Sequence, residues 1–170
     1  MKKILFLLSY IIVFSSSIAK GEESNKGYRG YLDFAFGDAY NPNPPQIIST
    51  NNIQLYMEIS NTHGYAFKNW FVGAGVAYYH SFRDKENMYP VYAAGRYTFE
   101  NSKMKPYVET RGGVVYDPRW VQTVQAYGAL SGGMKVYKRL QVGLRFSIFS
   151  RPSRFFTGNA AIVLNYAIGR

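Results

Sequence analysis

Histidine and serine side chains are the first candidates for catalysis, because the chain has no cysteine and only two histidines, His63 and His80. A histidine acts as a general base when a nucleophile lies within hydrogen-bond reach. Ser81 follows His80 directly, but neighbouring residues of a β-strand point to opposite faces, so the two cannot form a dyad within one strand. His63 lies in a segment, 61–64, that we interpret as a turn at the other end of the strands. The sequence therefore favours a protein that is not an enzyme.

Metal and cofactor chemistry has no better support in the sequence. Two distant histidines, the lack of cysteine and scattered carboxylates provide no set of residues with metal-ligand spacing. Asp84 and Glu86 alternate with Arg83 and Lys85, an arrangement typical of a solvated turn. We expect neither a bound metal nor a cofactor.

The elements that must position these side chains are strands. After residue 20, apolar and polar residues alternate with a period of two between turn residues, and no helical period is sustained. The alternation predicts eight strands at about 28–37, 52–62, 69–81, 89–99, 106–116, 124–136, 140–150 and 157–168. Their even spacing suits consecutive antiparallel hairpins, and their lengths suit tilted membrane strands.

Separating each strand by parity gives one face without charged residues and one face that carries charges. The uncharged face is made of residues such as Leu32, Val72, Val114 and Leu144. The charges of the other face stand among Tyr, Gly, Ala, Ser and Gln, and they are Arg29, Asp33, Glu58, Arg96, Glu109, Arg111, Lys135 and Arg145.

An uncharged face can point into a soluble barrel or outward to lipid. Aromatic residues near the strand ends favour lipid, because such girdles mark the membrane interfaces. One predicted rim holds Tyr28, Trp70, Tyr97, Phe99 and Tyr166, and the other holds Phe36, Tyr78 and Tyr116. The sequence therefore predicts an all-β protein, an eight-stranded antiparallel up-and-down transmembrane β-barrel.

Residues 1–19 are typical of a cleaved signal peptide. Lys2 and Lys3 precede an apolar run of about 11 residues, too short to span a bilayer as a helix, and small residues end at Ala19. We expect residues 20–170 to form a single barrel domain in the cell outer membrane of a Gram-negative bacterium. Without Lys2 and Lys3 the formal net charge falls from +10 to +8, and this positive excess predicts contact with anionic lipid or lipopolysaccharide rather than with nucleic acid.

The stretches 64–76 (GYAFKNWFVGAGV) and 90–99 (PVYAAGRYTF) resemble the small outer-membrane β-barrel domains of Bacteroidetes, distant analogues of the OmpX and OmpA transmembrane barrels. The resemblance covers the whole mature chain. It implies a location and a fold, and it implies little about activity. Many such barrels end on an aromatic residue that the assembly machinery reads, whereas this sequence ends on Gly169 and Arg170.

The charged face predicts ion pairs inside the barrel, because a charge that is buried without a partner costs several kcal/mol. A symmetric hairpin between strands four and five places Arg96 opposite Glu109, and we expect Arg111 and Glu58 to extend this pair into a network. A similar construction for strands three and four places Arg96 near Gly75. Outside the barrel, Arg151 and Arg154 beside Phe155 and Phe156 form a candidate contact for lipopolysaccharide phosphate.

These features together predict a non-enzymatic role, either structural or in surface interaction, for a monomer that the barrel assembly machinery inserts. An outer-leaflet enzyme that modifies lipid A, with His80 as its base, is the alternative. A narrow pore is the third possibility, although eight strands enclose a lumen that side chains can fill. The predicted turns are 63–68, 100–105 and 137–139 on the periplasmic side, and the predicted outer loops are 38–51, 82–88, 117–123 and 151–156.

Overall fold

The structure, a computed structural model, describes residues 26–40, 54–100, 104–118, 125–151 and 154–168. The predicted signal peptide therefore lies outside the described residues, as do most of the first outer loop and residues 119–124. The strands are β1 (Lys26–Tyr40), β2 (Leu55–Phe67), β3 (Trp70–Ser81), β4 (Glu86–Thr98), β5 (Tyr107–Tyr116), β6 (Gln125–Tyr137), β7 (Leu140–Arg151) and β8 (Arg154–Ile168). In the part of the chain described, no helix is long and apolar enough to cross a bilayer.

The eight strands form one closed sheet. Each strand pairs antiparallel with the next along the chain, and β1 also pairs with β8, so the sheet has no free edge. At the seam, Tyr31 lies between Thr62 of β2 and Ala167 of β8. Closure satisfies the backbone hydrogen bonds of every strand, which is the condition for crossing a bilayer as a sheet. The prediction of an eight-stranded antiparallel up-and-down barrel is confirmed.

Alternate residues of each strand point out of the barrel and into its lumen. On β7, Leu144 and Phe146 are 56% and 59% exposed, whereas Arg145 between them is only 1% exposed. The uncharged rows identified in the sequence point outward. Among the described side chains, charges of the outward rows lie near strand ends, at Lys26 and Asp38.

Outward-facing aromatic residues collect at both ends of the barrel. At the end that carries residues 26 and 168, Trp70 packs against Tyr97 at a centroid distance of 4.9 Å, and Tyr97 packs against Phe99 at 4.8 Å. At the other end, Tyr89 lies 5.7 Å from Tyr78 and 6.3 Å from Tyr116. Two aromatic bands around an apolar surface are typical of barrels that span a membrane.

The predicted turn at 63–68 is wrong, because β2 continues to Phe67 and the turn consists of Lys68 and Asn69. Asn61 and His63 interrupt the apolar alternation of the outward row, and this interruption is the reason that the sequence predicts a strand end there. The ladder nevertheless runs on, and His63 is paired with Ala74 of β3.

Several other predicted strand ends were too short. β1 extends to Tyr40 rather than ending at 37, and β4 begins at Glu86 rather than at 89. β8 begins at Arg154 rather than at 157, which leaves only 152–153 between β7 and β8. Each of these extensions contains a charged residue, Asp38, Glu86 or Arg154, which interrupts the apolar pattern on which the strand prediction rests.

The two ends of the barrel differ in their connections. The terminal end, as we call it, carries residues 26 and 168 and the connections 68–69, 99–106 and 138–139. The loop end carries the four-residue turn 82–85 and the three other connections. Four lysines in the connections have positive φ angles: Lys68 at 58°, Lys105 at 39° and Lys138 at 28° at the terminal end, and Lys85 at 49° at the loop end.

Candidate functional site: the lumen

Six charged side chains meet in the middle of the lumen, all of them buried. We call them the central charge network. They come from inward positions of β1, β2, β4, β5 and β7, and they are Asp33, Glu58, Arg96, Glu109, Arg111 and Arg145. Three carboxylates and three guanidinium groups balance in formal charge, which offsets much of the cost of removing them from water.

Arg96 and Glu109 lie directly opposite each other on β4 and β5. The Nε and Nη2 atoms of Arg96 lie 2.7 and 2.5 Å from Oε2 of Glu109. The other oxygen, Oε1, accepts a hydrogen bond of 2.6 Å from Nε of Arg111. One carboxylate therefore joins two guanidinium groups, and such charge-assisted hydrogen bonds are roughly twice as strong as neutral ones.

Asp33 of β1 is the carboxylate with partners on the largest number of strands. Its Oδ2 atom accepts from Arg111 and, at 2.6 Å, from Arg145. The hydroxyl of Ser60 donates to the same oxygen at 3.2 Å, and the side-chain amide of Asn165 donates to Oδ1. Asp33 thus links its own strand to β2, β5, β7 and β8.

Arg145 of β7 reaches across the lumen to two acids. Its Nη1 atom donates to Oε1 of Glu58 at 2.7 Å, in addition to the bond to Asp33. The Nε atom donates to the hydroxyl of Ser131 at 3.0 Å. Glu58 lies farther from Arg111, at 3.6 Å from Nη1. The network predicted from the sequence contains Arg96, Glu109, Arg111 and Glu58. It lacks Asp33 and Arg145, although both lie on the charged face of their strands, and that position was the available signal.

Aromatic rings cover the network on its terminal side. The guanidinium carbon of Arg96 lies 3.8 Å from the ring centroid of Tyr31 and 4.3 Å from that of Tyr107. A guanidinium between two ring faces gains cation–π attraction, which is strongest where water is excluded. Nη1 of Arg96 also donates to Oε1 of Gln141 at 2.9 Å.

A second layer of rings fills the lumen on the loop side of the network, and we call it the aromatic layer. It consists of the buried rings of Tyr56, Tyr79, Tyr127 and Phe149, and the buried side chain of Met88 belongs to the same cluster. The ring centroids of Tyr56 and Tyr79 are 4.8 Å apart, and Phe149 lies 5.2 Å from Tyr79 and 5.3 Å from Tyr127. The network and the aromatic layer together fill the middle of the described barrel with buried side chains.

The expectation that Arg96 lies near Gly75 is wrong. The residue opposite Arg96 on β3 is Phe71, and Gly75 is opposite Tyr92. A methyl group on Gly75 would lie 2.7 Å from the Tyr92 hydroxyl, so this glycine accommodates tyrosine instead. The register differs because the connection between β3 and β4 has four residues rather than the seven expected.

The remaining charged candidates lie outside the central charge network. Arg29 and Lys135, counted with the inward charges, line a cavity at the terminal end. Arg151 and Arg154 are register partners on β7 and β8 at the loop end, and their side chains lie outside the described part of the structure.

The hydrogen-bond partners of the two histidines are Asn87 for His80 and Tyr28 for His63. Nδ1 of His80 donates to Oδ1 of Asn87 at 2.8 Å, and Ser81 points inward from the next position of β3. His63 points outward from β2, and its Nδ1 atom lies 2.6 Å from the hydroxyl of Tyr28. Within the described ranges, no three His, Cys, Asp or Glu residues are arranged to hold a metal ion. The ion pairs of the central charge network therefore cross-link the strands of the barrel.

A double-mutant cycle on Arg96 and Glu109 should give a coupling free energy of about 1–3 kcal/mol, because their direct bond is lost in either single variant. The variants are Arg96→Met, Glu109→Gln and their combination, with unfolding by urea measured in lipid vesicles. The Arg96→Met change combined with Asp84→Asn, an exposed turn residue, serves as the control and should be additive. Additivity of Arg96→Met and Glu109→Gln would show that this bond does not contribute to stability.

Comparison with known proteins finds similarity at the level of the fold. No protein-family model matches the sequence, and no curated protein matches it significantly. The crystal structure of Neisserial surface protein A superposes with a TM-score of 0.55 at 13% identity, covering 84% of this chain and 99% of that one. A de novo designed transmembrane β-barrel superposes with a TM-score of 0.50, also at 13% identity, covering 88% of this chain and 100% of the design.

At such low identity the likeness concerns the backbone alone, and a shared fold does not by itself imply a shared activity. The closed eight-stranded sheet, the apolar outer surface and these neighbours agree with one another. The chain has the fold of a small transmembrane β-barrel.

Proposed function

We propose that this protein is a non-enzymatic integral component of a bacterial outer membrane, with a structural or surface-interaction role. The observation that carries the proposal is the filled lumen. Large side chains that fill it, among them Arg96, Arg145, Tyr56 and Phe149, are no more than 1% exposed to solvent. A barrel whose interior is filled is a rigid scaffold. Its outer surface and its loops are then the parts that can contact lipid or other molecules.

The outer surface supports an integral position in a membrane. Side chains such as Ile162, Leu164 and Val72 would be exposed to water at about half or more of their surface in a soluble protein. An apolar surface of this extent around the whole molecule is stable only in contact with lipid or another protein. Bacterial barrels of this kind lie in the outer membrane, and the signal-peptide pattern of residues 1–19 supports export to it.

Planar bilayer recordings test the filled lumen. The protein should give no steady conductance of porin size, because the central charge network and the aromatic layer block the path. A variant that opens the aromatic layer, Phe149→Ala combined with Tyr79→Ala, is the matched comparison and should increase the frequency of current steps. Large, reproducible open steps of the unaltered protein would favour the narrow pore instead.

Membrane fractionation combined with labelling of intact cells tests the location and the orientation. A cysteine at position 84, in the turn of the loop end, should react with a reagent that cannot cross membranes. A cysteine at position 69, in the turn between β2 and β3, should react only after the cells are lysed. The unaltered chain has no cysteine, so in both variants the signal comes from the introduced residue alone. The reverse result would invert the proposed orientation, and a soluble fraction would contradict the proposal.

The alternative of a lipid A-modifying enzyme has no specific support in the geometry of His80, which hydrogen-bonds to Asn87 and faces away from Ser81. Lipid A from cells with and without the protein should therefore be identical. The proposal includes four further expectations. The protein is a monomer, the barrel assembly machinery inserts it, Arg151 and Arg154 contact lipopolysaccharide, and the chain is related to the barrels of Bacteroidetes.

A further inference from the structure

A cavity of about 630 Å³ opens at the terminal end of the barrel. The residues that line it include Tyr31, Phe71 and Gln141. Since Tyr31 packs on Arg96 and Gln141 accepts a hydrogen bond from it, these side chains separate the cavity from the central charge network. The cavity is thus a closed-ended cup rather than the mouth of a channel.

The charge of the cup is strongly unbalanced. Among the residues that the structure describes, its lining contains one acidic residue, Glu100. The basic residues of the lining are six, and they are Arg29, Lys68, Lys105, Lys135, Lys138 and Arg139. This differs from the central charge network, where acids and bases are equal in number. Clustered cations with low-dielectric walls raise the local concentration of anions.

The three turn lysines of the cup stand where the backbone favours other residues. Lys68, Lys105 and Lys138 have φ angles of 58°, 39° and 28°, a region in which glycine, asparagine and aspartate are the usual residues. A left-handed backbone conformation therefore gives no reason for lysine at these positions. The positive charge is the property that distinguishes lysine from asparagine there.

The fourth lysine with a positive φ angle provides the contrast. Lys85, at 49°, lies at the loop end between Asp84 and Glu86, so acidic neighbours accompany it along the chain. Lys138 is instead followed by Arg139, and Lys105 is preceded at position 103 by another lysine. The concentration of positive charge is a property of the terminal end and not of the turns in general.

We propose that this cup is a binding site for a multiply charged anion that carries phosphate groups. Lysine and arginine are the side chains that bind phosphate oxygens through charge-assisted hydrogen bonds. The six cations come from β1, β6 and three separate connections, so a ligand with several charges contacts more of them than a single small ion does. The volume lies in the range of small-molecule sites, about 300–1,000 Å³, which leaves room for more than one phosphate group.

Titration calorimetry with sodium tripolyphosphate tests the proposal on the folded protein in zwitterionic micelles. The unaltered protein should bind one tripolyphosphate saturably, and higher salt should weaken the binding because it screens the charges. The variant with Lys68→Asn, Lys105→Asn and Lys138→Asn should bind about tenfold more weakly, since exposed charge pairs contribute modestly and three are lost. Asparagine suits the left-handed backbone, so the turns remain intact.

Lys85→Asn is the matched control, because it removes a lysine with a similar φ angle at the opposite end of the barrel. It should leave the affinity within about twofold of the unaltered value. A second variant, Lys135→Gln, removes a cation from β6 without altering any turn and should weaken binding too. No saturable binding, or an equal loss in the Lys85→Asn control, would overturn the proposal.

The phosphate groups could come from a soluble compound or from the headgroup of an anionic phospholipid at the adjacent membrane surface. Native mass spectrometry of protein released from vesicles of phosphatidylcholine with a minor fraction of phosphatidylglycerol separates the two sources. A lipid ligand predicts that the unaltered protein and the Lys85→Asn control retain more phosphatidylglycerol than the triple variant. Equal retention by all three, together with saturable tripolyphosphate binding, assigns the site to a soluble anion.

Discussion

Replacing Asp33 by asparagine should lower the free energy of unfolding by about 3–5 kcal/mol, the range for breaking a buried ionic network by removal of one partner. Asparagine keeps the shape of the side chain and one acceptor oxygen, so the loss is mainly one of charge. Arg111 and Arg145 would then share two carboxylates with Arg96, and one guanidinium would be buried without a counter-ion. The effect is large because Asp33 is fully buried, where water cannot replace the missing charge.

Urea unfolding in lipid vesicles, followed by tryptophan fluorescence, measures this change. Asp84→Asn makes the same chemical substitution in an exposed turn and should alter the free energy of unfolding by less than about 0.5 kcal/mol. A loss for Asp33→Asn no larger than that of Asp84→Asn would mean that the central charge network does not hold the barrel together.

Placing a charge on the outward face should have the second largest effect. Leu144 is 56% exposed on the outward row of β7 and lies four residues from the beginning of that strand. Leu144→Arg should destabilise the folded barrel in a bilayer by about 2–4 kcal/mol, the cost of arginine near the bilayer midplane. In a soluble barrel the same exposed position would tolerate arginine with little change.

Leu140→Arg provides the control for depth, because Leu140 is the first residue of the same strand and lies on the same face. Near the interface the cost of arginine falls to about 0–1 kcal/mol. Refolding into vesicles of both variants at matched lipid composition should show this difference. Equal costs at the two positions would show that the outward row does not contact hydrocarbon.

The strand order and the direction of most side chains could be predicted from the sequence, because a membrane barrel imposes two chemically opposite faces on every strand. On β7, Leu144 and Arg145 show this contrast in adjacent positions. The rule fails where the outward row carries polar residues, as at Asn61 and His63 of β2. There the local pattern is that of a turn, and only the pairing with β1 and β3 reveals a strand.

The central charge network could be predicted only in part, for a geometric reason. Arg96 and Glu109 are neighbours across one hairpin, so their separation depends on a short connection. Arg145 meets Asp33 and Glu58 across the lumen, at sequence separations of 112 and 87 residues. Those contacts depend on the stagger of the closed sheet. The stagger is the sum of the register shifts between all neighbouring strands, so it cannot be obtained from one hairpin. The predicted register of β3 and β4 was wrong because one connection is shorter than expected, and one such error shifts every predicted contact that depends on it.

The position of Asp33 also has a consequence for the kinetics of folding. Its bonds to Arg111, Arg145 and Asn165 join residues 78, 112 and 132 positions apart, and Asn165 belongs to β8, the partner of β1 at the seam. The bond to Asn165 spans the seam itself, so it forms only as the first and last strands meet. Interactions absent from the transition state act on the unfolding rate and leave the folding rate nearly unchanged. We therefore expect Asp33 to slow the opening of the seam between β1 and β8 during unfolding, without speeding the closure of that seam during folding.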